Sequence, residues 1–254
     1  MLSSSNNMRF APIAEYDKTK YQYIAIPSAE RNPCKQRNIG IDKARGDIIA
    51  FIDDDSMVHS YWLDEIISSY NFIDNVGGVG GRAIRGNEIH WDGKTPIGRM
   101  AEDGFLTEGF DGDTGRIIEV DHLIGCNMSY RKDVLEQIGK FDEKMVWDRE
   151  ETDLAIRAKK AGYKILYNPK AVVNHLGSPR TSYARFGLSY SYRMNRNHMY
   201  MLVKNFGFFS KKSLLFLFKT TVWDIYKCFG QIVKAILRLI LNSAGKIIGM
   251  IRVI

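Results

Sequence analysis

Residues 48–55 read Ile48-Ile49-Ala50-Phe51-Ile52-Asp53-Asp54-Asp55. Five apolar residues in a row, preceded by Gly46-Asp47, are typical of a strand covered on both faces by other parts of the protein. Three carboxylates follow at the point where this strand ends. Because open α/β sheets bind ligands beyond the carboxyl ends of their strands, the stretch predicts an α/β fold with a ligand site at the three aspartates.

The segments on either side of this strand continue an alternation of strands and helices. We predict strands over residues 21–26, 76–83, 117–123, 163–167 and 171–175, the last two on either side of Asn168-Pro169. We predict helices over residues 36–45, 62–70 (with Ser60 as N-cap), 132–138 and 150–161. The first, third and fourth end at Gly46, Gly139 and Gly162. Residues 86–116 have weak periodicity and are predicted to form loops. The pattern favours a sheet with helices on both sides.

Length and composition are those of a globular protein. The chain has 254 residues, 45% of them hydrophobic, 26% charged and six of them proline, which excludes the disordered and collagen-like classes. Three cysteines are far apart and form no CxxC pair, which argues against a zinc site or a disulfide framework and favours a reducing compartment. We find neither a signal peptide at residues 1–10 nor an apolar run long enough to span a membrane.

Charge is concentrated at the carboxyl end of the chain. Of the formal net charge of +7, residues 204–254 contribute nine basic side chains against Asp224 alone, a net +8. Apolar residues there recur at helical spacing, and Lys227, Lys234 and Arg238 share another face. Such a basic amphipathic helix lies on an anionic membrane surface. The alternative is packing on the catalytic body or a dimer contact. No nucleic acid is expected, because stacking aromatics do not separate the cations.

Three candidate positions for chemistry lie at strand or helix ends. Asp53, Asp54 and Asp55 repel one another unless a cation is present, and oxygen ligands suit Mg²⁺ or Mn²⁺; the alternative is a solvated acidic turn. His175 ends a predicted strand and could complete a metal site or touch a phosphate. Glu151 lies on the inward face of its helix, where the helix dipole favours the ionised form that a general base needs. Alternatively, it is an ordinary first-turn acid.

Five stretches of sequence occur in a fixed order. They are Arg37-Asn38-Ile39-Gly40 with Ala44-Arg45-Gly46-Asp47; Phe51-Ile52-Asp53-Asp54-Asp55; Gly125-Cys126-Asn127-Met128-Ser129-Tyr130-Arg131 with Gly139-Lys140-Phe141-Asp142; Glu150-Glu151-Thr152-Asp153-Leu154 with Arg157 and Ala161-Gly162-Tyr163; and residues 169–175. Together they resemble the nucleotide-sugar-dependent glycosyltransferases of family 2, which have the GT-A fold, a Rossmann-like mixed sheet flanked by helices. The resemblance spans about residues 21–200.

The resemblance implies roles for particular residues. Asp53 and Asp55 match the DxD motif that holds a divalent cation, Mg²⁺ or Mn²⁺, on the donor diphosphate, and His175 matches a histidine that contacts the metal or the diphosphate. Glu151 matches the general base of an inverting displacement, where the family usually has Asp. The donor-binding residues implied are Arg37, Asp53, Asp54 and Arg131.

The family's first strand-helix-strand unit has no counterpart in residues 1–20, which contain no apolar strand, so we expect an amino-terminally incomplete nucleotide-binding region. We expect two parts, a partial GT-A-like domain over residues 1–203 and a basic amphipathic tail over residues 204–254. The predicted function is transfer of a sugar from a nucleotide-sugar donor to a lipid-linked or cell-surface glycan acceptor, by a cytoplasmic protein held peripherally on the inner face of the cell membrane. The alternatives are an inactive GT-A-like scaffold that binds a membrane or a partner, and a metal-dependent nuclease or phosphatase.

Overall fold

The computed structural model describes residues 31–86, 89–176 and 188–251. Its strands are β1 (Ile48–Ile52), β2 (Ser56–Val58), β3 (Val76–Ile84), β4 (Ile118–Glu119), β5 (Asn127–Arg131) and β6 (Lys164–His175). Its helices are α1 (Pro33–Lys43), α2 (Trp62–Ser69), α3 (Lys132–Ile138), α4 (Glu150–Lys160), α5 (Leu188–Phe206) and α6 (Lys211–Ile251). The strands form one mixed sheet in the order β1-β5-β3-β6-β2, and β4 pairs with β6.

The sheet is mostly antiparallel. Only β3 and β6 pair in parallel among the described strands, and β1, β2 and β4 each pair antiparallel with a neighbour. The predicted α/β sheet flanked by helices is confirmed. The predicted strand over residues 21–26 lies outside the described residues.

Strand β1 is covered more fully on one face than on the other. Among the described strands its one neighbour is β5, with Ile52 opposite Asn127. Ile49 and Phe51 are buried, whereas Ala50 is exposed and Ile48 and Ile52 are half-buried. Ile49 and Phe51 belong to the core on one face of the sheet, and Ile48 and Ile52 pack against the core on the other. The predicted cover on both faces is therefore present except at Ala50.

Other local predictions also need correction. Ser60 does not cap α2, because the N-cap is Tyr61 and its side chain makes no capping bond. The predicted strand over 117–123 is reduced to the two residues of β4. Asn168-Pro169 does not divide two strands, since β6 runs through it as one strand with a register shift opposite Gly81–Ala83. Strand β5 was missed because its sequence, Asn-Met-Ser-Tyr-Arg, has no apolar alternation although its first four residues are buried.

The core lies in layers on the two faces of the sheet. One face packs against α1, α3 and α4 through residues such as Ile41, Val134 and Leu154. The other packs against α2 through Trp62 and Ile66. A third cluster joins α4 to α5 and the start of α6, with Ile156, Leu202 and Phe216 at its centre.

A glycine and an asparagine hold the centre of the sheet together. A Cβ atom at Gly81 would lie 1.9 Å from the carbonyl oxygen of Ala171, so only glycine allows β3 and β6 to approach this closely. The buried Asn127 side chain donates to the carbonyl oxygens of Arg82 and Ala171, at 3.0 and 2.8 Å, and accepts from the Trp62 indole at 2.9 Å. These contacts fix β3, β5 and β6 relative to one another at the edge where β1 ends.

Helices α5 and α6 follow the sheet. The predicted boundary between residues 203 and 204 falls inside α5, and the division into two parts stays a prediction. At its start α6 packs on the body through Ser213 and Phe216, which are 0% and 6% exposed. Across residues 31–86, 89–176 and 188–251, no helix is both long enough and apolar enough to cross a membrane.

Candidate active site

The three aspartates and His175 meet at one edge of the sheet. Asp53 follows the last residue of β1, and His175 is the last residue of β6. Pairing of Ser56 with His175, and a bond from the Leu176 amide to the Asp55 carbonyl at 2.8 Å, join the aspartate turn to the end of β6. The His175 Nε2 atom therefore lies 3.3 Å from Asp55 Oδ1 and 3.8 Å from Asp53 Oδ2.

The Asp53 carboxylate of this group favours the ionised form. Burial alone would raise the pKa of Asp53, but the hydrogen bond with His175 and the charge of Arg37 outweigh it and hold the pKa below its ordinary value. Two carboxylates and an imidazole are ligand types that divalent cations take. The donor set at Asp53, Asp55 and His175 thus fits a divalent cation.

Arg37 connects this group to the start of α4. Asn32 begins α1 by accepting from the Cys34 amide at 3.0 Å, with Pro33 at the first helical position, and this places Arg37 against the sheet. Its Nη1 atom donates to Glu150 Oε1 at 2.7 Å, and its Nη2 atom lies 3.6 Å from Asp53 Oδ1. The sequence assigned Glu150 no role of its own and did not predict this partnership.

Glu151 stands next to the Arg37–Glu150 pair. Its burial and the adjacent Glu150 charge raise the pKa of Glu151 to about 8. The expectation that the helix dipole keeps Glu151 ionised is therefore wrong for this structure, because removal of the carboxylate from water outweighs the dipole. A carboxylate with a raised pKa is a stronger base once it loses its proton, which suits general-base chemistry near neutral pH.

The turn before α4 has an unusual backbone. Trp147, Asp148 and Arg149 have φ angles of 57°, 94° and 72°, three consecutive left-handed residues that are not glycine. Each such residue costs of order 1 kcal/mol or more and persists only where its surroundings hold it. The fully buried amide of Asn197, on α5, lies 3.2, 3.2 and 3.0 Å from the carbonyl oxygens of Val146, Trp147 and Asp148. Helix α5 thereby holds the turn that aims Glu150 and Glu151.

A buried ion pair fixes the middle of α4. Asp153 pairs with Arg157, one helical turn further along, at 2.8 Å. The same carboxylate, fully buried, also accepts from Lys204 at 3.0 Å and from the Asn205 amide at 2.8 Å. Since both additional partners belong to α5, this cluster locks α4 and α5 together below Glu151.

Cys126 is a further member of the site that the sequence did not single out as a site residue. The β1–β5 register pairs Ile52 with Asn127, so its next step places Cys126 beside Asp53. The Cys126 sulfur, an Asp53 carboxylate oxygen and a His175 ring nitrogen all lie within 4.8 Å of one another. Burial raises the pKa of the Cys126 thiol to about 12.

Of the predicted donor-binding residues, Arg131 stands apart from this cluster. Arg131 pairs with Ile48, at the opposite end of β1 from Asp53. Its guanidinium donates to the Val76 carbonyl at 3.0 Å and stacks over the Tyr70 ring, so it supports the connection from α2 to β3 instead of a donor. This corrects the assignment of Arg131. The Asp54 side chain is exposed beside the group.

Comparison with known proteins shows the family of the chain. The sequence model described as "Glycosyl transferase family 2" matches residues 9–139. A glucosyl-dolichyl phosphate glucuronosyltransferase of Haloferax volcanii is 28% identical over 179 residues, covering 63% of this chain and 55% of the relative. Glycosyltransferase AglE of the same organism is 26% identical over 168 residues, covering 61% of this chain and 48% of the relative. The chain thus spans about half the length of the curated relatives it matches.

The fold comparison agrees. A crystal structure of GalNAc-T7 with UDP, GalNAc and Mn²⁺ superimposes with a TM-score of 0.51 at 14% identity, covering 68% of this chain and 34% of that chain. The fold is therefore of the GT-A type, a sheet whose strand ends carry the site residues. The chain belongs to glycosyltransferase family 2.

Proposed function

We propose that this protein transfers a sugar from a nucleotide-sugar donor to a lipid-linked glycan acceptor, with inversion at the anomeric carbon. The observation that carries the proposal is the link through Arg37, which contacts both Asp53 at 3.6 Å and Glu150 at 2.7 Å. One nitrogen of the Arg37 guanidinium faces Asp53, a candidate metal ligand. Another faces Glu150, the neighbour of the candidate base Glu151. The alternative, a metal-dependent nuclease or phosphatase, leaves Glu151 without a role. Such an enzyme needs no carboxylate of raised pKa apart from its metal ligands.

Asp53, Asp55 and His175 would hold the divalent cation, Mg²⁺ or Mn²⁺. When bound, the cation neutralises charge on the diphosphate of the donor. Arg37 adds a fixed positive charge beside Asp53 and is itself held by Glu150 and by the Phe141 ring, whose centroid lies 5.4 Å from the guanidinium carbon. These residues bind and orient the donor and favour departure of the nucleoside diphosphate.

Glu151 would act on the acceptor. Its carboxylate accepts the proton of the acceptor hydroxyl while that oxygen bonds to the anomeric carbon and the bond to the nucleoside diphosphate breaks. Attack opposite the leaving group inverts the configuration. Glutamate extends one methylene further than the aspartate usual in the family, so the acceptor oxygen is expected to lie further from the α4 backbone.

The acceptor class is proposed from the curated relatives. One of them is named for transfer of glucuronate to glucosyl-dolichyl phosphate, and this chain matches 55% of its length. A sugar linked through phosphate to a polyprenyl chain is therefore the first acceptor to test, and UDP-glucuronic acid belongs among the donors tried.

Calorimetric titration tests the donor site. UDP, GDP and dTDP are titrated into the purified protein with and without Mn²⁺, with Asp55→Asn as the site variant and Asp64→Asn, an exposed acid on α2, as the matched control. We expect one nucleotide to bind only with Mn²⁺ and to lose at least tenfold in affinity in Asp55→Asn. No binding to the folded protein would favour the scaffold alternative. Binding without any transfer from UDP-, GDP- or dTDP-sugars to glucosyl-dolichyl phosphate would overturn the proposed acceptor.

We propose in addition that α6 rests on an anionic membrane surface on the cytoplasmic side. Its stripe of Phe218, Val222, Ile225, Phe229, Ile232, Ile236 and Ile240 is between 48% and 66% exposed. Phe216, which packs on the body, lies on a different side of the helix. The apolar stripe therefore points away from the body, and Lys227 and Lys234 are exposed on the opposite side of the helix. A helix with an apolar face and a basic face suits the surface of an anionic membrane.

Vesicle co-sedimentation tests this contact. The protein is expected to sediment with phosphatidylglycerol vesicles and less with phosphatidylcholine vesicles, and salt should weaken the binding. Phe229→Ser with Ile232→Ser should release it, whereas Gln231→Ser, on the polar face, should not. Equal vesicle binding by the double variant would contradict the membrane contact. A concentration-dependent dimer that forms without vesicles and is abolished in this variant would instead assign the stripe to protein contact.

A further inference from the structure

Cys126 introduces a soft ligand into a site otherwise suited to hard cations. Its side chain is 4% exposed, and that of His175 is 6% exposed. The sulfur, an Asp53 oxygen and a His175 nitrogen lie within 4.8 Å of one another. Sulfur, imidazole nitrogen and carboxylate oxygen form a ligand set that Zn²⁺ and Co²⁺ take and that Mg²⁺ does not.

We propose that Cys126, Asp53 and His175 form a three-ligand site for Zn²⁺ or Co²⁺, and that such an ion competes with the hard cation and inhibits transfer. The inhibitory part rests on the proposed function, because Asp53 and His175 serve both ions. Binding of the ion itself does not rest on it. On binding, the metal–sulfur bond forms and the thiol proton passes to solvent.

The geometry requires only small side-chain movements. Ligand atoms of a tetrahedral zinc site lie roughly 3.3–3.8 Å apart, as follows from the bond lengths of such sites. The present separations of up to 4.8 Å close to that value by rotation about the Cys126 and Asp53 side-chain bonds. Asp53 can serve both Arg37 and a metal, because Oδ1 faces Arg37 and Oδ2 faces His175.

The state of His175 fits a ligand role. Its Nε2 atom faces the two aspartates at 3.3 and 3.8 Å, which is where a ligating nitrogen would have to point. Charge also balances, since a thiolate, one carboxylate and a neutral imidazole offset a divalent ion. Three protein ligands leave a fourth position open to water or to a diphosphate oxygen.

Cobalt spectroscopy separates this site from the hard-cation site. Co²⁺ is titrated into the full chain without nucleotide, and the near-ultraviolet thiolate-to-cobalt charge-transfer band is followed. We expect the band to saturate at one equivalent of Co²⁺ in the wild type and in Cys228→Ser, which replaces an exposed cysteine. The band should be lost in Cys126→Ser and in His175→Asn, with folding checked by circular dichroism. Two variants on different strands guard against one failing to fold.

Zn²⁺ inhibition provides the second readout. In a Mn²⁺-supported assay, the Zn²⁺ concentration that halves the rate should rise at least tenfold from Cys228→Ser to Cys126→Ser, each compared with its own rate without zinc. A Co²⁺ complex without the band, a band that persists in Cys126→Ser, or no Co²⁺ binding would overturn the proposal. A band in a protein that transfers no sugar would support the metal site and overturn only the proposed function.

Discussion

The Arg37 guanidinium donates to Glu150 at 2.7 Å, a bond that spans 113 positions of the chain and joins α1 to the start of α4. Both side chains are largely buried, at 18% and 7% exposure. The same guanidinium lies 3.6 Å from Asp53, so one residue connects the strand end that carries the aspartates to the helix that carries Glu151. The relative placement of the two halves of the site depends on this contact.

Replacement of Arg37 is expected to lower both stability and donor affinity. Arg37→Ala leaves the Glu150 carboxylate buried without its cation, which costs about 3 kcal/mol in the free energy of unfolding. Urea unfolding measures this loss. In Arg37→Ala/Glu150→Gln most of the stability should return while nucleotide affinity stays low. Equal free energies of unfolding for Arg37→Ala and Arg37→Ala/Glu150→Gln would show that the unpaired Glu150 charge does not cause the loss.

The pH dependence of transfer is expected to report Glu151. Because the pKa of Glu151 is raised to about 8, kcat/KM should increase with pH through the neutral range. Glu150→Gln removes a nearby negative charge and should move this increase to lower pH. Glu151→Gln should abolish transfer while nucleotide binding persists. A rate that is already constant at pH 6 would contradict the assignment.

The free energy of unfolding should also depend on the protonation of Glu151, but it should fall with increasing pH where the rate of transfer rises. The folded-state pKa of Glu151, about 8, lies above the ordinary value of 4.5, so the folded protein keeps this proton to higher pH than the unfolded chain. The contribution of protonated Glu151 to the free energy of unfolding is therefore complete below about pH 4.5 and is lost as the pH rises through about 8. Urea unfolding of Glu151→Gln should lack this decline between pH 5 and 8. An unchanged decline in the variant would assign it to other groups.

Asn197 is expected to act through the turn it holds. Asn197→Ala removes the amide that contacts three carbonyl oxygens of residues 146–148 and should cost about 2 kcal/mol in the free energy of unfolding. Because the left-handed turn then relaxes, kcat should fall at least tenfold while the KM for the donor changes little. Asn195→Ala, an exposed position on the same helix, is the matched control. Equal kinetic losses in both variants would contradict a role for the turn.

Gly81 provides a test of the sheet itself. A Cβ atom there would lie 1.9 Å from a backbone oxygen and 2.7 Å from the Asn127 amide, so Gly81→Ala should destabilise the protein by several kcal/mol and disturb the strand ends that carry the site. Gly86→Ala makes no such contact but has a φ of 61°, so it should cost only about 1 kcal/mol. Thermal unfolding of the two variants compares the steric cost with the backbone cost. A larger loss in Gly86→Ala would contradict the close approach of β3 and β6.

The sequence by itself determined the features that depend on neighbouring residues. The apolar run that ends at Asp53, the helix over Glu150–Lys160 and its Asp153–Arg157 pair, and the left-handed Gly139 that ends α3 were all readable from local spacing. The ordered motifs also indicated the family, and the match of the family model to residues 9–139 confirms it. These features depend on strand and helix periods and on capping, which act within a few residues.

Only the tertiary structure decided which distant residues meet. Register across β1 and β5 brought Cys126 to Asp53 and took Arg131 to the far end of the strand. Burial raised the pKa of Glu151 against the effect of its own helix, and pairing with Arg37 gave Glu150 a role. Strand register and burial arise from contacts between segments far apart in the chain, so no local pattern in the sequence could specify them.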